Sequence, residues 1–249
     1  MSEKHFFTIL DAVESTNNYA MAKLHAGLAV HGEAWFARDQ WGGKGQRDNK
    51  WYSKKDQNIT MTIILKPDKV FRNNLFFFNT IVACTCHQFF SAFAGSGTLL
   101  KWPNDVYFND RKAGGILIEN IFNGQGWTWA AIGIGININQ IDFDEENVKA
   151  TSLRNICSRI FEPIELGKKL HNALLVNFDA LDEFSEDYYF NYYNEHLYKK
   201  EQTVKLKKGN MVFDTCIKKV NKKGQLVTSD VMERHFNSGE IIWLLNDNL

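Results

Sequence analysis

One stretch, residues 101–119, limits the fold more than any other part of the chain. Two apolar runs, 106–108 and 116–118, flank Asn109, Asp110 and Arg111. Short apolar runs separated by turn-forming residues predict a β-hairpin. Lys112 then falls at the start of the second strand, with Gly114 and Gly115 beside it. Glycine within a strand lets a ligand or another backbone come close. Lys101, Asn104, Asp105 and Lys112 therefore place two cations, a carboxamide and a carboxylate on one small element. Taken singly, each lysine reads equally well as a surface residue and Trp102-Pro103 as an ordinary turn. Together they form a compact set of donors and acceptors.

Composition narrows the setting. With 249 residues the chain has room for one large domain or for a large and a small one. A formal net charge of zero, from 29 basic and 29 acidic residues, argues against a dedicated nucleic-acid binder, whose affinity rests on neutralising phosphates. The polar start has no signal character. No uninterrupted apolar run reaches roughly 18 residues, so no membrane span is expected. Four scattered cysteines make no disulfide framework, and a reduced, cytoplasmic setting is the natural reading. Cys84 and Cys86, next to His87, allow a metal site, but they fall in an apolar helical stretch. Residues two apart do not share a helix face, and free cysteine packs as a small hydrophobe.

Periodicity and turn signals predict the rest in order: a strand over 6–10, a helix from Ser15-Thr16 to Gly27, and a strand over 33–37. A Gly- and Lys-rich loop over 40–56 follows, then a strand over 59–65 and a long apolar helix over 75–94. After residues 99–102 and the hairpin comes a strand pair around residues 123–126, with its second strand over 127–138. Two or three helices lie between 151 and 197. Beyond Lys199, short alternating runs at 204–206, 211–220, 225–227 and 240–245 suggest a small β-barrel. The expected architecture is α+β: a mixed β-sheet with flanking helices over 1–198, then a barrel domain over 199–249.

Three further groups carry chemistry. Ser15, Thr16 and Asn17 stand where a helix begins, so they read as caps or as hydrogen-bonding partners of a ligand. The loop from Gln40 to Lys55 holds Lys44, Arg47, Lys50, Lys54 and Lys55 against one acid, Asp48. Glycines turn backbone N–H groups toward an anion, the cations add charge-assisted contacts, and Trp51 offers a flat face for a stacked base. The other reading is a solvated surface loop. It lacks the Gly-Lys-Ser/Thr ending of a P-loop. Residues 133–139 alternate glycine, isoleucine and asparagine. No third glycine opens a helix there, so the run is a poor dinucleotide fingerprint. It reads instead as a strand whose small residues admit a close neighbour, with Asn137 and Asn139 on one face.

These four groups, in this order, resemble the biotin–protein ligases, in the form without an N-terminal DNA-binding domain. The resemblance runs from Ser15 to Asn139 and is most specific over 101–119. It implies the class II synthetase-like catalytic fold of the biotin/lipoate ligases, ended by a small SH3-like barrel. It implies an enzyme that activates biotin as biotinyl-5'-AMP and transfers it to a lysine of a biotin carboxyl carrier protein domain. ATP and Mg²⁺ are the implied co-substrates, with no tightly bound cofactor.

By the same resemblance Ser15, Thr16, Asn17 and Gln40 hold the biotin head. Gly43, Lys44, Gly45 and Gln46 form the loop that closes over biotin and the adenylate. Arg47 positions phosphates and Trp51 packs against adenine. Lys112 meets the biotin carboxylate and the α-phosphate, and Gly115 lines the biotin pocket. Asn104, Asp105 and Asn137 lie on the nucleotide side, with Asp105 a candidate Mg²⁺ contact. Lys112, Arg47 and Asp105 are the candidate catalytic residues.

The family loop reads Gly-Arg-Gly-Arg-Arg-Gly-Arg-x-Trp. Lys44, Gln46 and Asp48 depart from it here, which bears on how the adenylate is retained. Too few residues precede Ser15 for a helix-turn-helix, so no repressor role is expected. A lipoate–protein ligase and a non-catalytic biotin-binding module are the alternatives. Relatives can dimerise, and pairing of an exposed sheet edge would give a homodimer; the sequence leaves that open.

Overall fold

The computed structural model describes residues 6–47, 49–71, 74–124, 126–143, 149–182 and 184–244. Asp48, and positions 125 and 245 of the runs given above, lie outside them. The main sheet is built from β1 (Phe7–Leu10), β2 (Ala34–Ala37), β3 (Ile59–Leu65), β4 (Thr98–Lys101), β5 (Asp105–Phe108), β6 (Arg111–Asn123) and β7 (Gly126–Ile136). Its order is β1-β2-β3-β7-β6-β5-β4. β1 and β2 run parallel and every other pair is antiparallel, so the sheet is mixed.

Helices flank it: α1 (Thr16–His25), α2 (Leu75–Ala94), α3 (Leu153–Cys157), α4 (Pro163–Asp179) and α5 (Ser185–Glu195). Ser15 caps α1, its hydroxyl accepting from Asn18 N at 3.4 Å, and Asn74 caps α2, accepting from Phe77 N at 3.0 Å. Such caps satisfy N–H groups that have no partner within the helix.

Strand alternation divides the sheet into two faces. Ile59, Met61 and Ile63 of β3, with Ile132, Ile134 and Ile136 of β7, join one core with α2, α4 and α5. The opposite face carries Thr60, Thr62, Gly133 and Gly135. In register, Thr60 stands beside Gly135 and Thr62 beside Gly133. Small and hydroxylated residues there leave a hollow that α1 covers only in part.

α2 is long and apolar enough to cross a membrane by composition, with mean hydropathy 1.3, but 67% of that window is buried within the protein. Cys84 and Cys86 are wholly buried on it. No cluster of three metal-ligating side chains exists among the described residues, and burial pushes both thiols up.

His87 is buried on the same helix. Nδ1 lies 2.9 Å from the Tyr192 hydroxyl and Nε2 2.9 Å from the Thr98 carbonyl. Burial, opposed by the Thr98 bond and aided by nearby His196, lowers its pKa to about 4. In the unfolded chain it takes up its proton near 6.5. Between those values the unfolded chain binds the extra proton, so folding weakens as pH falls from about 6.5 toward 4 and is unaffected by this group above that window. The expected loss is roughly 3 kcal/mol at most. Urea unfolding at a series of pH values should show it, and His87→Gln should flatten this part of the profile.

The chain after Lys199 forms β8 (Thr203–Lys208), β9 (Met211–Val220), β10 (Leu226–Ser229), β11 (Glu233–Phe236) and β12 (Ile242–Trp243). They make a five-stranded antiparallel sheet in the order β11-β10-β9-β8-β12. Among the described residues no pairing joins β11 to β12, so this sheet is open where the sequence suggests a closed barrel. Trp102 Nε1 donates to Gly224 O at 2.9 Å and Tyr198 N to Leu100 O at 2.9 Å. The two sheets also share one hydrophobic core.

Candidate functional site

The hairpin owes its chemistry to a bulge. Tyr107 pairs with Lys112, but the next residue back, Val106, pairs with Gly114. The extra residue, Ala113, reverses the side-chain alternation and turns Lys112 onto the face that Gly115 leaves open. Lys112 Nζ then sits 2.7 Å from Asp105 Oδ1. A Cβ on Gly115 would meet Lys112 Nζ at 3.4 Å and Asp105 Oδ1 at 3.5 Å. The glycine thus keeps open the space above the ion pair. Asn104 braces the hairpin, its Nδ2 donating to the Ile116 carbonyl.

This pair lies in the wall of a cavity of about 240 Å³. One end is the α1 terminus. There Thr16 N and Oγ1 donate to Gln40 Oε1 at 2.8 and 3.1 Å, and Thr62 Oγ1 donates to Thr16 Oγ1 at 2.9 Å. Asn17 Nδ2 donates to Glu119 Oε2 at 2.8 Å. Ser15, Thr16 and Asn17 are all buried there. The capping and cavity-lining readings of Ser15 both hold, because its hydroxyl caps α1 and the residue still faces the hollow.

The loop forms the roof. Gly45 N donates to Asn49 O at 2.7 Å and Trp51 N to Gly43 O at 2.9 Å, which folds it back on itself. Lys44, Gly45, Gln46, Arg47 and Trp51 all line the cavity. Gly43 does not; it is buried beneath Trp51, where its missing side chain lets the loop close. Trp51 itself lies on Gly135. A Cβ there would meet the indole Cζ2 at 2.6 Å and Cδ2 at 2.8 Å. The Trp51 indole N–H is buried with no acceptor among the described residues.

Two expected residues are placed elsewhere. β7 ends at Ile136, so Asn137 and Asn139 do not alternate along a strand. Asn137 Nδ2 donates to the Thr151 carbonyl at 3.0 Å and Asn139 Nδ2 to the Phe161 carbonyl at 2.8 Å. Asn137 thus ties down the segment before α3 and Asn139 the segment before α4, and neither lines the cavity. Conversely, the sequence carried no sign that Ser238, Gly239 and Ile241, between β11 and β12, and Trp243 of β12 also line it.

Lys101 is not a surface lysine. Its Nζ donates to the Tyr107 hydroxyl at 3.2 Å and lies 5.6 Å from the centre of the Trp243 ring. Burial lowers its pKa, with Asp105 opposing.

Among the described lining residues Asp105 is the sole carboxylate, set among cations. The site therefore suits a ligand with a hydrogen-bonding head, an anionic centre near Lys112 and a flat group near Trp51. This fold has solved counterparts. Biotin protein ligase from Aquifex aeolicus, in complex with biotin and ATP, superposes with a TM-score of 0.79 at 24% identity, covering 97% of this chain and 99% of that one.

At the level of sequence, the Biotin/lipoate A/B protein ligase family matches residues 9–139, more than half of the chain, and the chain belongs to that family. Among curated relatives, a biotin–[acetyl-CoA-carboxylase] ligase from Paracoccus denitrificans is 35% identical over 130 residues, 50% of this chain and 51% of that protein. The bifunctional ligase/repressor BirA of Bacillus spizizenii is 36% identical over 146 residues, 57% of this chain and 44% of that protein. The matches span about half or less of these relatives' length.

Proposed function

We propose that this protein is a biotin–protein ligase, which joins biotin to AMP and passes it to a lysine of a carrier domain from a biotin-dependent carboxylase. The observation that carries this reading is the Lys112–Asp105 pair over Gly115, in one cavity with Thr16, Gln40 and Trp51. The biotin head would meet Ser15, Thr16, Asn17 and Gln40. Gln40 spends its carbonyl on Thr16, so its amide group is the side turned to a ureido oxygen. Biotin's carboxylate oxygen attacks the α-phosphorus of ATP and pyrophosphate leaves. Lys112 meets the charge that gathers on the transferring centre, as a fixed donor in a water-poor site does. The neutral amine of the carrier lysine then attacks the carbonyl and releases AMP. Bringing the two reactants into line supplies much of the acceleration.

Mg²⁺ enters with ATP as part of the substrate. One carboxylate plus nucleotide phosphates is an ordinary set for that ion, and Asp105 is the protein group that would hold it. The loop from Gly43 to Trp51 shields the adenylate from water, with Asn104 on the nucleotide side. A cytoplasmic setting and the closure of the second sheet into an SH3-like barrel, as a domain over 199–249, belong to the same reading.

The test is adenylate formation without any acceptor. Protein mixed with ATP, Mg²⁺ and biotin should release pyrophosphate and yield biotinyl-AMP, and excess lipoate should compete weakly. Preference for lipoate would move the assignment to the other branch of the family. Biotin binding without adenylate would leave a binding module.

A further inference from the structure

Biotin carries three polar groups: a ureido group, a carboxylate and a ring sulfur. On the proposed function the first two meet opposite ends of the cavity, at Thr16 with Gln40 and at Lys112. One polar side chain on the floor between them has no partner. Thr60 is 4% exposed and lines the cavity, and its hydroxyl makes no hydrogen bond among the described residues. The side-chain polar atoms there that are both enclosed and unpartnered belong to Trp51, Asn79, Asn120 and Trp243. The Thr60 hydroxyl is unpartnered without being enclosed, so it keeps accessible surface. β3 lies inside the sheet, between β2 and β7, and the neighbours Ile59 and Met61 face the core. The surface left to the hydroxyl is therefore that of the cavity.

Strand register fixes its place on the floor. Thr60 stands beside Gly135, which stands beside Gly115; Thr62 stands beside Gly133, which stands beside Leu117. Thr62 is bonded to Thr16 and Asn17, so it lies beneath the end with the hydrogen-bonding residues. Thr60 is the next residue of β3 on the same face, roughly 7 Å along the strand. Two glycines separate it from Lys112. A fused bicyclic head held by its ureido group at Thr16 and Gln40 spans that distance and turns its thioether edge to Thr60.

We propose that Thr60 is a specificity residue that donates its hydroxyl to the ring sulfur of biotin; this rests on the biotin-ligase reading above. A thioether sulfur is a weak acceptor, so the bond ranks ligands by their ring edge more than it raises affinity for biotin. An oxygen on that sulfur is a stronger acceptor and reads the same hydroxyl more sensitively.

The test measures Kd for biotin, for desthiobiotin, which lacks the sulfur, and for each epimer of biotin sulfoxide, with the full chain and Thr60→Val. Valine removes the hydroxyl and keeps the shape. A neutral hydrogen bond corresponds to roughly two- to tenfold in affinity. In Thr60→Val the preference for biotin over desthiobiotin should fall about twofold, and the Kd of a sulfoxide epimer should rise roughly two- to tenfold. The Kd of desthiobiotin should stay unchanged or fall. Thr60→Ser keeps the hydroxyl and should keep the wild-type ranking, and Thr60→Ala replaces the valine variant if that one does not fold. A change of equal size for all the ligands, or none, in a protein that binds biotin would overturn this inference and leave the functional reading standing. A folded wild-type protein that binds none of the ligands would overturn both.

Discussion

Lys112→Ala is expected to slow biotinyl-AMP formation by about 10²–10³-fold, with little change in melting temperature. The reason is where Lys112 stands. Its side chain is 36% exposed and paired with Asp105, so its removal opens no core cavity and the pair itself adds little to stability. On the proposed mechanism, its loss takes a positioned cation from the place where the transferring phosphorus gathers negative charge. Lys112→Arg should recover little, because a planar, delocalised guanidinium does not replace a compact ammonium point charge. Pyrophosphate release under single-turnover conditions measures the step directly. A normal rate in Lys112→Ala would remove Lys112 from the chemistry.

The second large effect is expected at Gly135. In Gly135→Ala the new methyl group enters the Trp51 ring, and β7 lies in the middle of the sheet, flanked by β3 and β6. The ring must give way, and the loop loses the surface on which it rests. Stacking of a base on an aromatic face contributes about 1–3 kcal/mol, so the KM for ATP should rise by about tenfold or more. Adenylate should also leak into solution faster. The double variant Gly135→Ala, Trp51→Ala should be no worse than Trp51→Ala alone, because both act through one contact. Additive losses would show that Gly135 matters for another reason.

Much of the frame was legible because its signals are local. β3 and α2 begin and end where apolar periodicity and flanking turn residues put them. The Gly-Ile alternation of β7 was legible as small residues that admit a neighbour, and the neighbours are Trp51 and Asn17. What was not legible depends on distant partners. Asn137 and Asn139 look like strand residues, yet their carboxamides serve the Thr151 and Phe161 carbonyls. β11 has one buried residue, Phe236, and pairs only with β10, so it carries too weak a pattern to be read. Trp243 reaches the hairpin from far along the chain, through β8. No spacing rule connects it to Lys101, and only the folded chain shows that the ammonium stands over its ring.

The central claim is that one cavity both activates biotin and transfers it. Its most direct test is mass spectrometry of a biotin carboxyl carrier domain after incubation with the protein, biotin, ATP and Mg²⁺. The expected result is a carrier that gains the mass of a single biotin, dependent on ATP and lost in Lys112→Ala. An unmodified carrier in the presence of folded protein that still binds biotin and ATP would contradict it.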